Sequence, residues 1–234
     1  MKVIGHRGAA GLALENTLES IEAAVSAGVD AIEFDIRMTK DGKLVLSHDK
    51  HIGRVSLHKH HIHLYSLRKL REIDLHNGKP IATLQEAIKA AHNTPIVIEG
   101  KDNGWAVPLA NFLRKQTTLP LCKVIAFNHQ ELYNFSLLMP NIQTYAIERT
   151  SPFDAIRTAH VLKLTGVDFN FWILSPFSYF LARRHKLDII VYTVNSPFLA
   201  RFLRLLYPKI SITTNFPDKM QFLRSKHLRD QKSA

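Results

Sequence analysis

Apolar residues in this chain fall into short runs separated by longer segments of mixed polarity. Nine runs read as strands: KVIG at 2–5, AIEFDI at 31–36, KLVLSH at 43–48, PIVIEG at 95–100, CKVIAF at 122–127, QTYAI at 143–147, VLKLTG at 161–166, DIIVYTV at 188–194 and ISITT at 210–214. Several are apolar on both faces, the pattern of parallel strands covered by helices. Between them, residues 16–27 and 84–91 carry apolar side chains at helical spacing. Asn16 or Thr17 is placed to cap the first of these helices, and Glu19 opposes its dipole. The repeated strand–helix order predicts an α/β fold closed into a barrel.

An eight-stranded barrel leaves one of the nine runs over. Only six residues separate the run at 31–36 from that at 43–48, far short of the dozen or so that a parallel crossover needs. Asp41-Gly42 is also a turn signal. The run at 43–48 is therefore expected to fold back antiparallel at the barrel rim. A turn centred on Asp41 and Gly42 sets Asp35 opposite His48.

Length and composition narrow the picture. A chain of 234 residues with 46% hydrophobic and 22% charged residues suits one barrel domain over 1–234, since such barrels need about 250 residues. The polar, histidine-rich stretch at 51–79 breaks the periodicity and reads as a small lobe inserted beside the barrel mouth. Its His58, His60, His61 and His63 have no cysteine or acidic partner nearby, so a solvated loop is expected rather than a metal site. Cys122 is the sole cysteine and sits in an apolar run, as a structural thiol in a reducing compartment would. No leader-like stretch follows Lys2 and no apolar run approaches the length of a membrane span. A cytoplasmic protein without stable membrane insertion is expected. The net charge of +11, with local excess at 183–186 and 219–232, attracts anions such as phosphorylated substrates. Zinc-finger, KH and ribonucleoprotein patterns are absent from the sequence, so no nucleic-acid partner is expected.

Candidate chemistry clusters at strand ends. Glu33 and Asp35 stand two apart on one strand and so share a face. Two like charges held together are costly unless a cation or a basic side chain lies between them, and hard oxygen ligands suit magnesium or calcium. Glu99 ends the strand PIVIE, at the edge where barrels carry function. With Glu33 and Asp35 it would complete a three-carboxylate metal site. A salt-bridged rim is the plainer reading, with Lys101 as local partner of Glu99. His6 and His48 also close apolar runs and titrate near neutrality, as an acid–base pair must. Arg7 can grip phosphate with its guanidinium fork, and Lys101 can add a point charge. Gly5 and Gly8 bracket His6-Arg7 and let backbone approach closely.

Taken together, these pieces resemble a known family. GHRG at 5–8, LENTLESI at 14–21, EFDIRMTKDGKLVLSHD at 33–49, IEGK at 98–101, VIAF at 124–127, YTVN at 192–195 and ITTNFPD at 212–218 are similar to the signature of the glycerophosphodiester phosphodiesterases. The resemblance implies a TIM (β/α)8 barrel of the phosphoinositide-phospholipase type, with the small insertion following the HD motif. It implies that Glu33, Asp35 and Glu99 bind one divalent cation, Mg2+ or Ca2+, and that His6 and His48 are the acid–base pair. Arg7 and Lys101 would hold the phosphate of a small-molecule glycerophosphodiester, releasing glycerol 3-phosphate and an alcohol. Glu15 and Asn16 match an E-N pair near the site, with a substrate or supporting role. Tyr192 stands where the family often has tryptophan; Leu14 and Ala126 replace a usual proline and serine. None of these departures removes an implied ligand or acid–base residue.

Two other readings remain at this level. The aromatic stretch FNFWILSPFSYF at 169–180 is core, or else a pocket wall or lipid-facing rim for phospholipid substrates. A barrel that binds phosphorylated ligands without turning them over is the other. The sequence leaves the oligomeric state open.

Overall fold

The computed structural model describes residues 1–223; the basic stretch at 219–232 lies mostly outside the described residues. All nine strands form one sheet: β1 (Lys2–Gly5), β2 (Ala31–Met38), β3 (Leu44–Leu46), β4 (Ile96–Gly100), β5 (Cys122–Ala126), β6 (Gln143–Glu148), β7 (Gly166–Asn170), β8 (Asp188–Tyr192) and β9 (Ile210–Thr214). Eight are parallel and close on themselves, because β1 pairs with both β2 and β9. The ninth, β3, hangs antiparallel on β2. The expected barrel of eight strands with one strand folded back is what forms.

Helices α1 (Leu18–Ala27), α2 (Leu67–Leu70), α3 (Leu84–Ala90), α4 (Ala106–Arg114), α5 (His129–Leu138), α6 (Pro152–Val161), α7 (Pro176–Arg184) and α8 (Pro197–Leu206) connect the strands. Thr17, rather than Asn16, caps α1: its hydroxyl accepts from the Ser20 N–H, and the Ser20 hydroxyl takes the reciprocal bond from Thr17. Asn16 turns inward instead.

Strand alternation sorts the core into two parts. Outward residues such as Ile32, Phe34 and Ile98 are fully buried under the helices, each contributing about 1.5–3 kcal/mol. Inward residues Ile4, Val97, Tyr145 and Ile190 plug the barrel interior. Tyr145 fits because Gly166 faces it; a Cβ at Gly166 would come within 2.7 Å of the tyrosine ring. Above this plug the inward positions turn polar, and Glu33, Asp35, Glu99 and Asp168 are all buried. This change of character sets the site at the C-terminal ends of the strands, as in barrel enzymes generally.

Two details differ from expectation. The run VLKLTG at 161–166 is not a strand: Val161 ends α6 and β7 begins only at Gly166. Lys163 adopts a left-handed φ of 54°. The Lys163 and Leu164 N–H groups bond back to His160 and Ala159 carbonyls at 3.3 and 2.8 Å, which satisfies the helix end and buries Leu164 as its apolar contact. The apolar run thus belongs to a helix terminus. The β2–β3 register also differs, with Ile36, Arg37 and Met38 opposite Leu46, Val45 and Leu44. Asp35 therefore faces Ser47, whose N–H it receives at 3.1 Å, and not His48. The cause is a loop of three residues, Lys40 to Gly42. The Gly42 N–H bonds to the Thr39 carbonyl and glycine takes a φ of +72°, a type I turn extended by a left-handed residue.

The segment 51–79 contains 3-10 turns at Ile52–Arg54 and Ile62–Leu64 and the short helix α2. Its Ile52, Ile62 and Leu70 form a small cluster with Val45 and Ile81. Among the described residues no helix is long and apolar enough to cross a membrane.

Candidate active site

The polar end of the barrel holds a cavity of about 360 Å³, lined among others by His6, Arg7, Glu33, His48, Glu99 and Lys101. Six residues singled out in the sequence thus face one space. Tyr192 lines it as well, its hydroxyl donating to the Glu148 carbonyl at 3.2 Å.

The turn after β1 is shaped by backbone bonds. The His6 N–H donates to the Thr214 carbonyl at 2.9 Å and the Gly8 N–H to the Glu33 carbonyl at 2.9 Å. Arg7 sits at a φ of 50° and Gly8 at 84°. A Cβ on Gly8 would stand 2.3 Å from Ser20 Oγ and 2.5 Å from its carbonyl carbon, so this close approach requires glycine. Gly8→Ala is expected to cost about 2–3 kcal/mol, through strain and overpacking. It should also lower turnover at least tenfold or so by displacing His6 and Arg7. Denaturant midpoints and initial rates on the purified variant check both.

Glu33, Asp35 and Glu99 converge, with one carboxylate oxygen of each within 4.8 Å of the others, all three buried. The Glu33 Oε1 and Asp35 Oδ1 atoms have no hydrogen-bond partner, although Lys101 Nζ makes an ion pair with Asp35 Oδ1 at 3.2 Å. Burial, then the charges of Asp35 and Glu99, push Glu33 well above the usual carboxylate range. Burial and Asp35 raise Glu99 to about 7, against the pull of Lys101. Asp35 goes the other way: burial opposes its charge, but Lys101 and Arg7 outweigh it and hold the carboxyl low. Orphaned carboxylate oxygens repelling one another are the donor set that a hard divalent cation satisfies. The residues fit such an ion. Among the described residues, the histidines of the 51–79 segment form no comparable group.

The two histidines differ in their backing. His6 Nδ1 lies 2.6 Å from Asn215 Oδ1, and His48 Nδ1 lies 2.7 Å from Asp49 Oδ1. In both, the neighbouring oxygen accepts from Nδ1–H, leaving Nε2 as the atom that can gain or lose a proton. Burial, reinforced by Arg7, lowers His6 to about 4, so it is neutral at pH 7. Burial also lowers His48, while Asp35 and the bond to Asp49 pull it back.

Glu15 and Asn16 lie behind the cavity wall, beside a smaller recess. Glu15 receives Arg7 Nη1 on both oxygens at 3.0 and 3.1 Å. Asn16 donates to Asp35 Oδ2 at 2.8 Å and accepts the Asp35 N–H at 3.0 Å. From the 51–79 segment, Arg54 reaches Glu15 at 2.8 Å and Asp49 at 2.9 Å, tying together the supports of Arg7 and His48.

Several participants have no assigned role in the sequence reading. Asn215 and Asp49 sit inside quoted motifs, and only the fold reveals them as histidine partners. Arg37 follows Asp35 by two on the same strand face; it donates to the His48 carbonyl and pairs with Asp102. Arg149 lines the cavity and stacks on Phe127 at 4.5 Å. Asp168 forms part of the cavity floor, with Oδ1 unpartnered. Burial, then Glu99, drives its carboxyl well above the ordinary range.

The glycerophosphodiester phosphodiesterase of Bacillus subtilis is 26% identical over 246 residues, covering 92% of this chain and 83% of that protein. A glycerophosphodiester phosphodiesterase structure from Parabacteroides distasonis superposes with a TM-score of 0.78 at 25% identity, covering 98% of each chain. An Oleispira antarctica phosphodiesterase, solved with its product sn-glycerol-3-phosphate, superposes at 0.88 with 23% identity, covering 95% of this chain and 96% of that one. The model of the glycerophosphoryl diester phosphodiesterase family matches residues 6–219, nearly the whole length, and the chain belongs to that family of phosphodiester-cleaving enzymes.

Proposed function

We propose that this enzyme hydrolyses glycerophosphodiesters to glycerol 3-phosphate and an alcohol, with Glu33, Asp35 and Glu99 holding one divalent cation, Mg2+ or Ca2+. The observation that carries this reading is the cavity itself. Three buried carboxylates, two of them with an unpartnered oxygen, converge at its floor, together with two imidazoles whose Nδ1 atoms are already engaged. When bound, such an ion withdraws charge from phosphoryl oxygens and stabilises the excess that builds up during displacement.

The chain's own residues supply the rest. Arg7, braced by Glu15, grips a non-bridging oxygen, and Lys101 adds positive charge beside Glu99 and Asp35. Asn16 orients Asp35, and Tyr192 bounds the pocket wall. His6, neutral beside a neutral amide, takes the proton from the nucleophile. His48, whose charged form Asp49 supports, returns a proton to the departing alcohol oxygen. The nucleophile is water or the adjacent glycerol hydroxyl. The latter route passes through a cyclic phosphate that water opens, and oxygen-18 incorporation with a search for that transient species separates the two.

Purified protein incubated with glycerophosphocholine should release glycerol 3-phosphate. EDTA should abolish release, and Mg2+ or Ca2+ should restore it. No glycerol 3-phosphate with either ion, across several alcohol groups, would overturn the proposal.

A further inference from the structure

Arg7, Lys101 and Arg149 are the lysine and arginine side chains that line the cavity. The first two are neutralised from within the protein. Arg7 pairs with Glu15 and Asp35 at 3.0 and 3.4 Å, and Lys101 with Asp35 and Glu99 at 3.2 and 2.7 Å. Arg149 differs: among the described residues no carboxylate pairs with it, whereas Arg37 and Arg54 nearby each have one. Its neighbour Glu148 is turned to the backbone. One oxygen of that carboxylate accepts the Arg149 and Thr150 N–H groups at 2.7 and 3.0 Å, and the Thr150 hydroxyl as well.

The barrel sets Arg149 far from the reacting end. Arg7 follows β1 and Arg149 follows β6, and in the ring of eight parallel strands β6 lies four places from β1 in either direction. The two arginines therefore face one another across the mouth. A phosphodiester held by Arg7 sends one of its two arms toward Arg149. The glycerol arm carries no charge and is common to every glycerophosphodiester. Only the alcohol arm can bring a group that an unpaired guanidinium recognises.

A cationic alcohol such as choline would need open aromatic faces, and Phe127, Phe171 and Tyr192 line this part of the cavity. The face of Phe127 is already filled by the chain itself, with the Arg149 guanidinium 4.5 Å and Lys101 Nζ 5.9 Å from the ring centre. Phe171 is stacked on Trp172 at 4.5 Å, and Tyr192 stands edge-on to Phe127. A cage for ammonium is thus occupied by the protein's own cations, which repel another. Arg149 is exposed, so a single negative charge meets it through water. A phosphate monoester brings more charge and three acceptor oxygens, which a guanidinium fork can take two at a time. We infer that Arg149 selects glycerophosphodiesters whose alcohol carries a phosphate of its own, an inference that rests on the glycerophosphodiesterase reading above.

Three substrates test this at one fixed concentration of free Mg2+ or Ca2+: glycerophosphoinositol 4-phosphate, glycerophosphoinositol and glycerophosphocholine. The first two share one frame and differ only in the added phosphate. The protein should favour the phosphorylated one by about tenfold in kcat/KM, near the low end for a hydrogen bond to a charged group, and turn over the choline ester most slowly. The preference should sit mainly in KM, as uniform binding of a remote group does. Arg149→Met should bring the inositol pair close to parity, and Arg149→Glu should place glycerophosphocholine ahead of the phosphorylated ester. Equal rates on the inositol pair by the unsubstituted protein, or a preference that survives Arg149→Met, would overturn the inference while leaving the hydrolase reading intact. So would an equal loss on all three substrates in Arg149→Met, the mark of an arginine that grips the phosphodiester itself. Turnover of none of the three would sink the hydrolase reading and this inference with it.

Discussion

His6→Ala and His48→Ala will each lower turnover of glycerophosphocholine by about 10²–10⁴-fold, the usual scale of proton-transfer catalysis, while leaving the fold in place. Both side chains lie at the cavity surface and neither belongs to the apolar core. Their separate backing makes the two losses distinguishable. If His48 protonates the leaving oxygen, a substrate whose alcohol is replaced by 4-nitrophenol needs no such proton. On that ester His48→Ala should recover most of its rate, and His6→Ala should not, because the nucleophile still has to be deprotonated. Recovery of both variants, or of neither, would sink the division of labour. Near-normal turnover of either variant on glycerophosphocholine would remove that histidine from the reaction.

Glu33→Gln and Asp35→Asn should move the stability of the cation-free protein in opposite directions. Glu33 is a buried carboxylate opposed by burial and by two like charges, so neutralising it relieves repulsion. An unchanged or slightly higher melting temperature is expected. Asp35 is the group that Arg7 and Lys101 converge upon, at 3.4 and 3.2 Å. Replacing it leaves two buried cations short of a partner, at a cost of about 3 kcal/mol. Both variants should lose the response to added ion. For the unsubstituted protein, an ion at about 100 times its dissociation constant adds about 2.7 kcal/mol, which for a chain of this size raises the melting temperature by about 5–10 °C. Thermal unfolding with and without Mg2+ or Ca2+ reads all of this. An ion-induced rise that survives Glu33→Gln would put the cation elsewhere in the molecule.

Much of this arrangement was legible before any coordinates. Strand ends are readable because an apolar run must stop where side chains turn polar, which singles out His6, His48 and Glu99, whereas Glu33 and Asp35 stand out as like charges two apart on one strand. The hairpin is readable from the short spacer and the Asp41-Gly42 turn signal, though its register, one residue off, is not. What escaped depends on three-dimensional partnership. Asn215 is distant in sequence from His6, and the spacing of residues gives no sign that its amide faces an imidazole. Asp168 was hidden by a misplaced strand: VLKLTG, taken as a strand, hid the helix terminus that pushes β7 onward to Gly166–Asn170 and turns Asp168 into the cavity floor. Glu15 and Asn16 were found by motif, but their positions behind Arg7 and Asp35 follow from the buried turn at Gly8.

The three-residue loop between β2 and β3 works as a spacer whose count matters more than its composition. Side chains alternate along β3, so one residue more or fewer would turn Val45 away from the cluster it shares with Ile52 and Ile62 and swing His48 off the cavity. Lys40 can drift to many other residues, whereas Asp41 accepts from the Thr39 hydroxyl at 2.6 Å and the Leu67 N–H at 2.9 Å, and a residue tolerant of left-handed geometry must stay at 42. Insertions here should therefore be accepted in even steps and rejected in odd ones, so that the length of a surface turn governs whether His48 reaches the cavity at all.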